Sequence, residues 1–412
     1  MNKTKYQRPY NFHKIDGPVS PFRDSFIVSL EEQGFSRPSI HAQLRIVARF
    51  SCWLLENHVI ASDIRLEHQM EFCSCKRWQH LRRAGQASMI RRVLEHLQAL
   101  KVIPACSPAV VNSSPIDRAV SEYSQYLQLS VGLSDLSIRK YCPFVKNFLL
   151  KINDGEDSLE KEITAADVVY YFTTLAPVVS ASRAKSAATA IRSYLKYLNY
   201  MGYVKMDLVG AVPTIPNWSL SGVPKSISAA HARQVLQHCP RETANGLRDY
   251  AILLLLAQLG LRSCEIVSLT LDSIDWDESS LSFVGKGGQS AILPMTAEVG
   301  EALAHYLSKG RVTCNTRALF LCCWAPIRGL GSPQTVTTIV RAAIRRAGIK
   351  TTSHGSHQFR HALACSMMNG GATLHEIGAV LRHHKSKTTR LYAKVDTESL
   401  RQLCLPLPGD GQ

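Results

Sequence analysis

The chain reads as mainly α: two all-α N-terminal helical domains followed by an α+β domain with a small antiparallel sheet. Three observations predict this. From Pro21 to Ile103, apolar residues recur at helical spacing, as Leu44, Val47, Phe50, Leu54 and Leu55, then Ile90, Val93, Leu94, Leu97 and Leu100. A second helical block runs from Pro115 to Val204, through Val145, Phe148 and Leu149, then Ile191, Tyr194, Leu195 and Leu198. Strand patterning is confined to one place, where Leu281–Val284 and Ala291–Pro294 flank Gly285-Lys286-Gly287-Gly288, the composition of a β-hairpin and its turn.

The elements follow in order. Residues 1 to 20 are polar, with Pro9 and Pro18, and lack periodicity. The two helical blocks look like copies. Gly34-Phe35-Ser36-Arg37-Pro38-Ser39-Ile40 and Gly132-Leu133-Ser134-Asp135-Leu136-Ser137-Ile138 share G-x-S-x-x-S-I, and Val47 and Phe50 recur at the same offset as Val145 and Phe148. Further on, Ile90-Arg91, Leu94 and Leu97 match Ile191-Arg192, Leu195 and Leu198. Convergence on a helix-capping signal would give the short motif alone, since the serine suits an N-cap; the ordered run of matches favours duplication. Residues 205–224 are rich in Pro and Gly and read as a linker. Ser228 is placed to cap a helix starting at Ala229. The apolar helix RDYAILLLLAQLG from Arg248 breaks at Gly260 before Leu261-Arg262-Ser263-Cys264-Glu265-Ile266. Thr335 to Ala347 is a basic amphipathic helix, and Leu405 to Gln412 is a Pro- and Gly-rich tail.

Bulk properties narrow the function. The 412 residues suffice for two or three domains with their own cores. Lys and Arg number 48 against 32 Asp and Glu, a formal charge of +16 that favours a polyanionic partner, most simply nucleic acid. The excess sits at the ends: residues 1–105 carry a net +7 and residues 224–412 a net +8, against +1 between them. The twelve cysteines include no paired C-x-x-C, which argues against a zinc ribbon, and Cys264 and Cys365 read as small core residues in apolar helices. The first residues lack a hydrophobic signal core, and the longest apolar run, Tyr250–Leu256, is far short of a membrane span. The expected location is cytoplasmic.

The chemistry concentrates between His357 and Tyr392, which hold His357, Arg360, His361, His383 and Tyr392 within one run. A guanidinium presents a planar fork of donors to phosphate oxygens, and a tyrosine hydroxyl becomes a nucleophile once its proton has an acceptor. His357 and His361 are also four apart on a helix, the spacing of a zinc pair, with His354, His383 and His384 nearby but no acidic or cysteine ligand. Taken singly, Arg262 suits a surface arginine, Lys286 a turn lysine and Tyr392 a core aromatic.

Their order is more specific: Leu-Gly-Leu-Arg-x-x-Glu-Ile at Leu259–Ile266, the hairpin Lys286, His357-x-x-Arg360-His361, Leu381-x-His383, then Tyr392 after Thr388-Thr389. This resembles the tyrosine recombinase (phage integrase) family over residues 225–400. Residues 115–204 resemble, more loosely, its helical core-binding domain. The resemblance implies a SAM-like core-binding domain over 113–204, then the linker, and a catalytic domain over 225–412; the repeat makes residues 1–108 an extra N-terminal helical domain, a duplicated core-binding-like module. It implies that Arg262, Lys286, His357, Arg360, His383 and Tyr392 are catalytic, with Glu265 supporting Arg262. No cofactor and no metal is expected. The partners implied are double-stranded DNA and a tetrameric synapse of like recombinases, in which Asp396–Cys404 docks on a neighbour. The activity implied is site-specific cutting and rejoining of DNA through a 3′-phosphotyrosyl link, for integration, excision or transposition of a mobile element. Two alternatives are a non-catalytic DNA-binding subunit and a type IB topoisomerase-like strand passage. Two departures stand out: Arg382 replaces the family's usual glycine before the second histidine, and Phe359 replaces a leucine in H-x-L-R-H.

Overall fold

The computed structural model describes residues 15–75, 85–104, 114–153, 155–157, 162–216, 227–285, 288–351, 355–382 and 389. The chain is mainly helical, with one three-stranded antiparallel sheet among the described residues. It forms two compact units, one of Met1–Cys106 with Gly222–Gln412 and one of Ser107–Ser221.

The first helices are α1 (Arg23–Glu32), α2 (Arg37–Glu56), α3 (Leu66–Ser74) and α4 (Gln86–Ala99). Their apolar stripes meet in one core of Phe26, Leu30, Ile40, Leu44, Phe50, Phe72, Ile90 and Leu97. In the second unit, α5 (Pro115–Leu129), α6 (Asp135–Ile152), α7 (Ala165–Leu175) and α8 (Ala181–Tyr200) do the same around Ile138, Val145, Phe148, Tyr171 and Ile191. The two quartets match in detail. Gly34 and Gly132 both take positive φ, at 81° and 69°, just before the second helix of each. Phe50 meets Phe72 edge-on at 5.4 Å, and Phe148 meets Tyr171 edge-on at 5.2 Å. Such edge-to-face pairs fix the second helix against the third.

Two local details differ from expectation. Ser36 and Ser134 occupy N-cap positions with extended backbone, but neither side chain caps; the Ser134 hydroxyl pairs with that of Ser137 at 3.1 Å. The first part of the expected linker is packed rather than loose. Leu208 and Val212 are buried in the second unit's core, and Arg192 donates to the Val212 and Pro213 carbonyls at 3.1 and 2.8 Å.

The C-terminal part is built on α10 (Ala244–Gln258), whose residues Tyr250–Leu256 are all buried, as an all-round apolar helix must be. Against it pack α9 (Ala229–Gln237), α12 (Ala297–His305), α13 (Pro333–Arg346) and α14 (His357–Asn369). The Ser228 hydroxyl caps α9 by accepting from the His231 amide at 3.0 Å. The hairpin forms as expected from β2 (Ser280–Val284) and β3 (Ser290–Pro294), in the register Leu281 opposite Leu293 and Phe283 opposite Ala291. A two-residue strand, β1 (Ile274–Asp275), adds to its other edge. Within this same unit, the turn after α1 touches the C-terminal part: the Ile327 amide donates to the Gln33 carbonyl at 2.9 Å. At Gly34, a Cβ would stand 2.6 Å from Ile327 Cγ1.

Candidate active site

The site begins where α10 stops. Gly260 takes φ +57°, and a Cβ there would stand 2.8 Å from Leu381 Cδ2 and 3.1 Å from Leu363 Cδ2. Only glycine fits both the conformation and the space. The chain then turns into α11 (Ser263–Ser268), with Arg262 at its N-cap. Glu265 reaches back to accept from the Arg262 amide at 2.8 Å and from Arg262 Nη1 at 2.6 Å. Glu265 is 1% exposed, so its charge is out of water and the pair is costly to break from either side. Cys264, expected in the core, is exposed: the six-residue α11 turns Glu265 and Ile266 inward and leaves Cys264 outside. Cys365 is half-buried beside a satellite cluster rather than in the main core.

The start of α14 is tied to the same loop, where the Ser356 and Ser263 hydroxyls lie 2.5 Å apart. One residue on, His357 opens the helix. Arg360, one turn later and 5% exposed, donates to the Gly260 carbonyl and to the Leu381 carbonyl at the end of α15 (Leu374–Val380). Phe359 is fully buried in the main core, so the exchange for leucine is absorbed by packing.

The electrostatics follow from this crowding. His357 is exposed in total area, yet its imidazole is held below the ordinary histidine range by the surrounding protein and by the Arg360 and Arg262 guanidiniums. His361 is also lowered, by burial first and then by His357 and Arg360. Both rings therefore resist protonation beside a cationic cluster, which leaves His357 able to accept a proton. Among the described residues, no group of three or more His, Cys, Asp or Glu is placed to hold a metal ion.

Of the six catalytic candidates, the structure brings together Arg262, His357 and Arg360. Lys286, His383 and Tyr392 lie outside the described residues, as do Asp396–Cys404 and the C-terminal tail. The residues around them are informative. The Gly285 amide donates to the Gln289 carbonyl at 2.7 Å, closing the hairpin turn, and a Cβ on Gly285 would stand 3.9 Å from Glu265 Oε1. The base of the lysine-bearing turn thus lies beside the carboxylate that holds Arg262. Thr389, three residues before Tyr392, is buried, with its hydroxyl 3.2 Å from where a Cβ on Gly378 of α15 would stand. Sequence reasoning missed the Ser263–Ser356 link; two serines 93 residues apart carry no periodic signal.

Comparison with known proteins gives the family. The model of the phage integrase family matches residues 225–399. A relative described as a putative integrase/recombinase, y4rA of Sinorhizobium fredii, is 39% identical over 96% of both chains. The tyrosine recombinase XerD of Mycobacterium tuberculosis is 31% identical over 55% of this chain and 73% of its own. Among solved structures, XerH recombinase bound to a palindromic difH substrate superposes with TM-score 0.56 at 17% identity, over 76% of this chain and 87% of that one. A lambda integrase dimer bound to a COC′ core site gives 0.52 at 14% identity, over 66% and 96%. The two structural likenesses establish a shared fold. The chain belongs to the phage integrase family. It is a tyrosine site-specific recombinase, an enzyme of DNA recombination and integration. No helix among the described residues is long and apolar enough to cross a membrane.

Proposed function

We propose that this recombinase cuts and rejoins DNA through Tyr392, with Arg262, Lys286, His357, Arg360 and His383 as its catalytic partners. The observation that carries the proposal is the cluster of Arg262, Glu265 and Arg360 assembled at the Gly260 break beside a histidine kept neutral. In the reaction the Tyr392 oxygen attacks the scissile phosphorus and gives up its proton with the help of His357. The bond to the 5′ oxygen breaks, and Lys286 protonates that leaving oxygen. Arg262 and Arg360 offset the charge that builds on the non-bridging oxygens, a donor effect worth about 2.7–4 kcal/mol each. His383 donates to a phosphate oxygen. The product is a 3′-phosphotyrosyl link that conserves the phosphodiester energy. A 5′-hydroxyl of another strand then attacks it, reversing the step on a new partner.

The helical quartets of residues 1–108 and 113–204 are read as duplicated DNA-binding modules, the second the core-binding domain, joined by residues 205–224 to a catalytic domain over 225–412. The biological role is integration, excision or transposition of a mobile element, within a tetrameric synapse of like subunits in the cytoplasm. Solved relatives include a lambda integrase tetramer bound to a Holliday junction, which supports that assembly.

The test uses nicked duplexes that tile the flanks of the protein's own coding element. SDS-resistant protein–DNA adducts should form with the wild-type chain, resist chelator, and vanish in Tyr392→Phe. Specific DNA binding without an adduct would overturn catalysis by this chain and favour the accessory-subunit reading.

A further inference from the structure

Arg382 stands where the family resemblance leads one to expect glycine. Its backbone keeps the conformation that glycine would favour, at φ +53°. A side chain held in the left-handed region is disfavoured unless its surroundings compensate. Here they do. Arg382 Nη2 donates to Glu265 Oε2 at 3.1 Å and to the Gly260 carbonyl at 3.4 Å. Its guanidinium carbon lies 4.8 Å from the centre of the Phe283 ring, on the hairpin strand that leads into the Lys286 turn. Nε and Nη1 are buried with no hydrogen-bond partner among the described residues, where the ring and the carboxylate hold the charge.

The contacts close on themselves. Glu265 Oε1 accepts from Arg262 Nη1, Glu265 Oε2 accepts from Arg382 Nη2, and Arg262 Nη2 donates at 3.3 Å to the Arg382 backbone carbonyl. Glu265 Oε2 also accepts from the Arg262 amide at 2.8 Å, so Arg382 adds the link that comes from outside the α11 N-terminus and ties this pair to the chain just after α15. Arg360 shares the Gly260 carbonyl with Arg382, which draws the second arginine into the same network.

We propose that Arg382 is a positioning residue: it locks Glu265, and through it Arg262, and fastens the hairpin to the start of the His383 segment. A glycine turn would keep the carbonyl that accepts from Arg262 Nη2 but supply neither the Glu265 nor the Phe283 link. The inference rests on the recombinase mechanism proposed above, and it adds a residue that acts through Glu265 rather than on the phosphate.

The test compares wild type, Arg382→Gly, Glu265→Gln and the double variant on the nicked duplex that gives adducts, at saturating DNA. Arg382→Gly is the informative change because glycine accepts φ +53° freely, which offsets part of the lost Glu265 and Phe283 contacts, so the fold should persist. Adduct formation should slow about tenfold while DNA affinity stays unchanged. In the Glu265→Gln background, Arg382→Gly should add little further loss, because its route of action is already cut. Equal losses in both backgrounds, or no loss in the first, would overturn the proposal. A second arm replaces the mapped scissile phosphate with a neutral methylphosphonate. That change removes the charge Arg262 offsets, so it should restore Arg382→Gly as it restores Arg262→Ala; restoration of the second without the first would overturn the route through Arg262. A wild-type chain that forms no adduct would sink the recombinase mechanism and this inference with it. An active wild type matched by Arg382→Gly would sink the inference alone.

Discussion

The hydroxyls of Ser263 and Ser356 lie 2.5 Å apart and join the first residue of α11 to the residue before His357. The helix that starts just after Arg262 and the helix that starts at His357 are thereby pinned at their N-terminal ends. Ser356→Ala should leave the Ser263 hydroxyl unpartnered in a partly buried site, at a cost of about 1 kcal/mol in stability. Adduct formation should fall more steeply than DNA binding, which a gel of denatured adducts beside an equilibrium binding assay would separate.

Arg360 offers a sharper test, because it holds two backbone carbonyls and, in the proposed mechanism, also meets the phosphate. It spans from the Gly260 carbonyl to the Leu381 carbonyl, while its charge sits beside His357. Arg360→Lys keeps the charge but not the fork, so it cannot hold both carbonyls in the same geometry. The expected loss in adduct rate is on the order of 10²–10³. A lysine variant with wild-type rate would remove Arg360 from the catalytic set.

Gly260→Ala should destabilise the C-terminal part and lower activity together. The added methyl would meet Leu381 and Leu363 at a backbone conformation that alanine disfavours. A drop of about 1–3 kcal/mol in unfolding free energy is expected from denaturant titration. An unchanged midpoint would mean that the loop relaxes freely and does not fix the arginines.

The two lowered histidines predict the direction of acid sensitivity. His357 and His361 both bind protons less readily folded than unfolded. Stability from these groups is complete above the ordinary histidine range near pH 6.5, and it is lost as pH falls from there toward the depressed folded value. Melting temperature should therefore decline as pH falls below about 6.5, and His357→Gln should flatten part of that slope. His96, lowered by burial, contributes to the remainder. An undiminished slope in His357→Gln would show that its ring is not held neutral.

Much of this was legible in the sequence, for identifiable reasons. The β2–β3 hairpin announced itself through strand patterning around a glycine turn, and α10 through its apolar run ending at the Gly260 break. β1 did not, because two residues carry no period. Leu208–Val212 looked like linker from Gly210 and the prolines that follow, since packing of Leu208 against a distant core leaves no local mark. Cys264 was misread because apolar neighbours suggest burial, whereas a six-residue helix can bury only one side. At the site, residue types and their order pointed to Arg262, His357 and Arg360. The convergence of Phe283, Glu265 and Arg382 was hidden, since the last two are 117 residues apart and meet only through the fold.

The contact between Gln33 and Ile327 sets a clock on how the molecule is made. About 290 residues separate the two, so at about 5–20 residues per second of synthesis the Gln33 turn waits for about 15–60 seconds before its partner exists. Ser107–Ser221, a compact unit with its own core, is synthesised within that interval. The first helical quartet must therefore hold together on Phe50, Phe72 and their neighbours alone, and only afterwards receive the Ile327 loop. A ribosome stalled after the second quartet would display that turn uncovered, with the rest of both helical cores already formed.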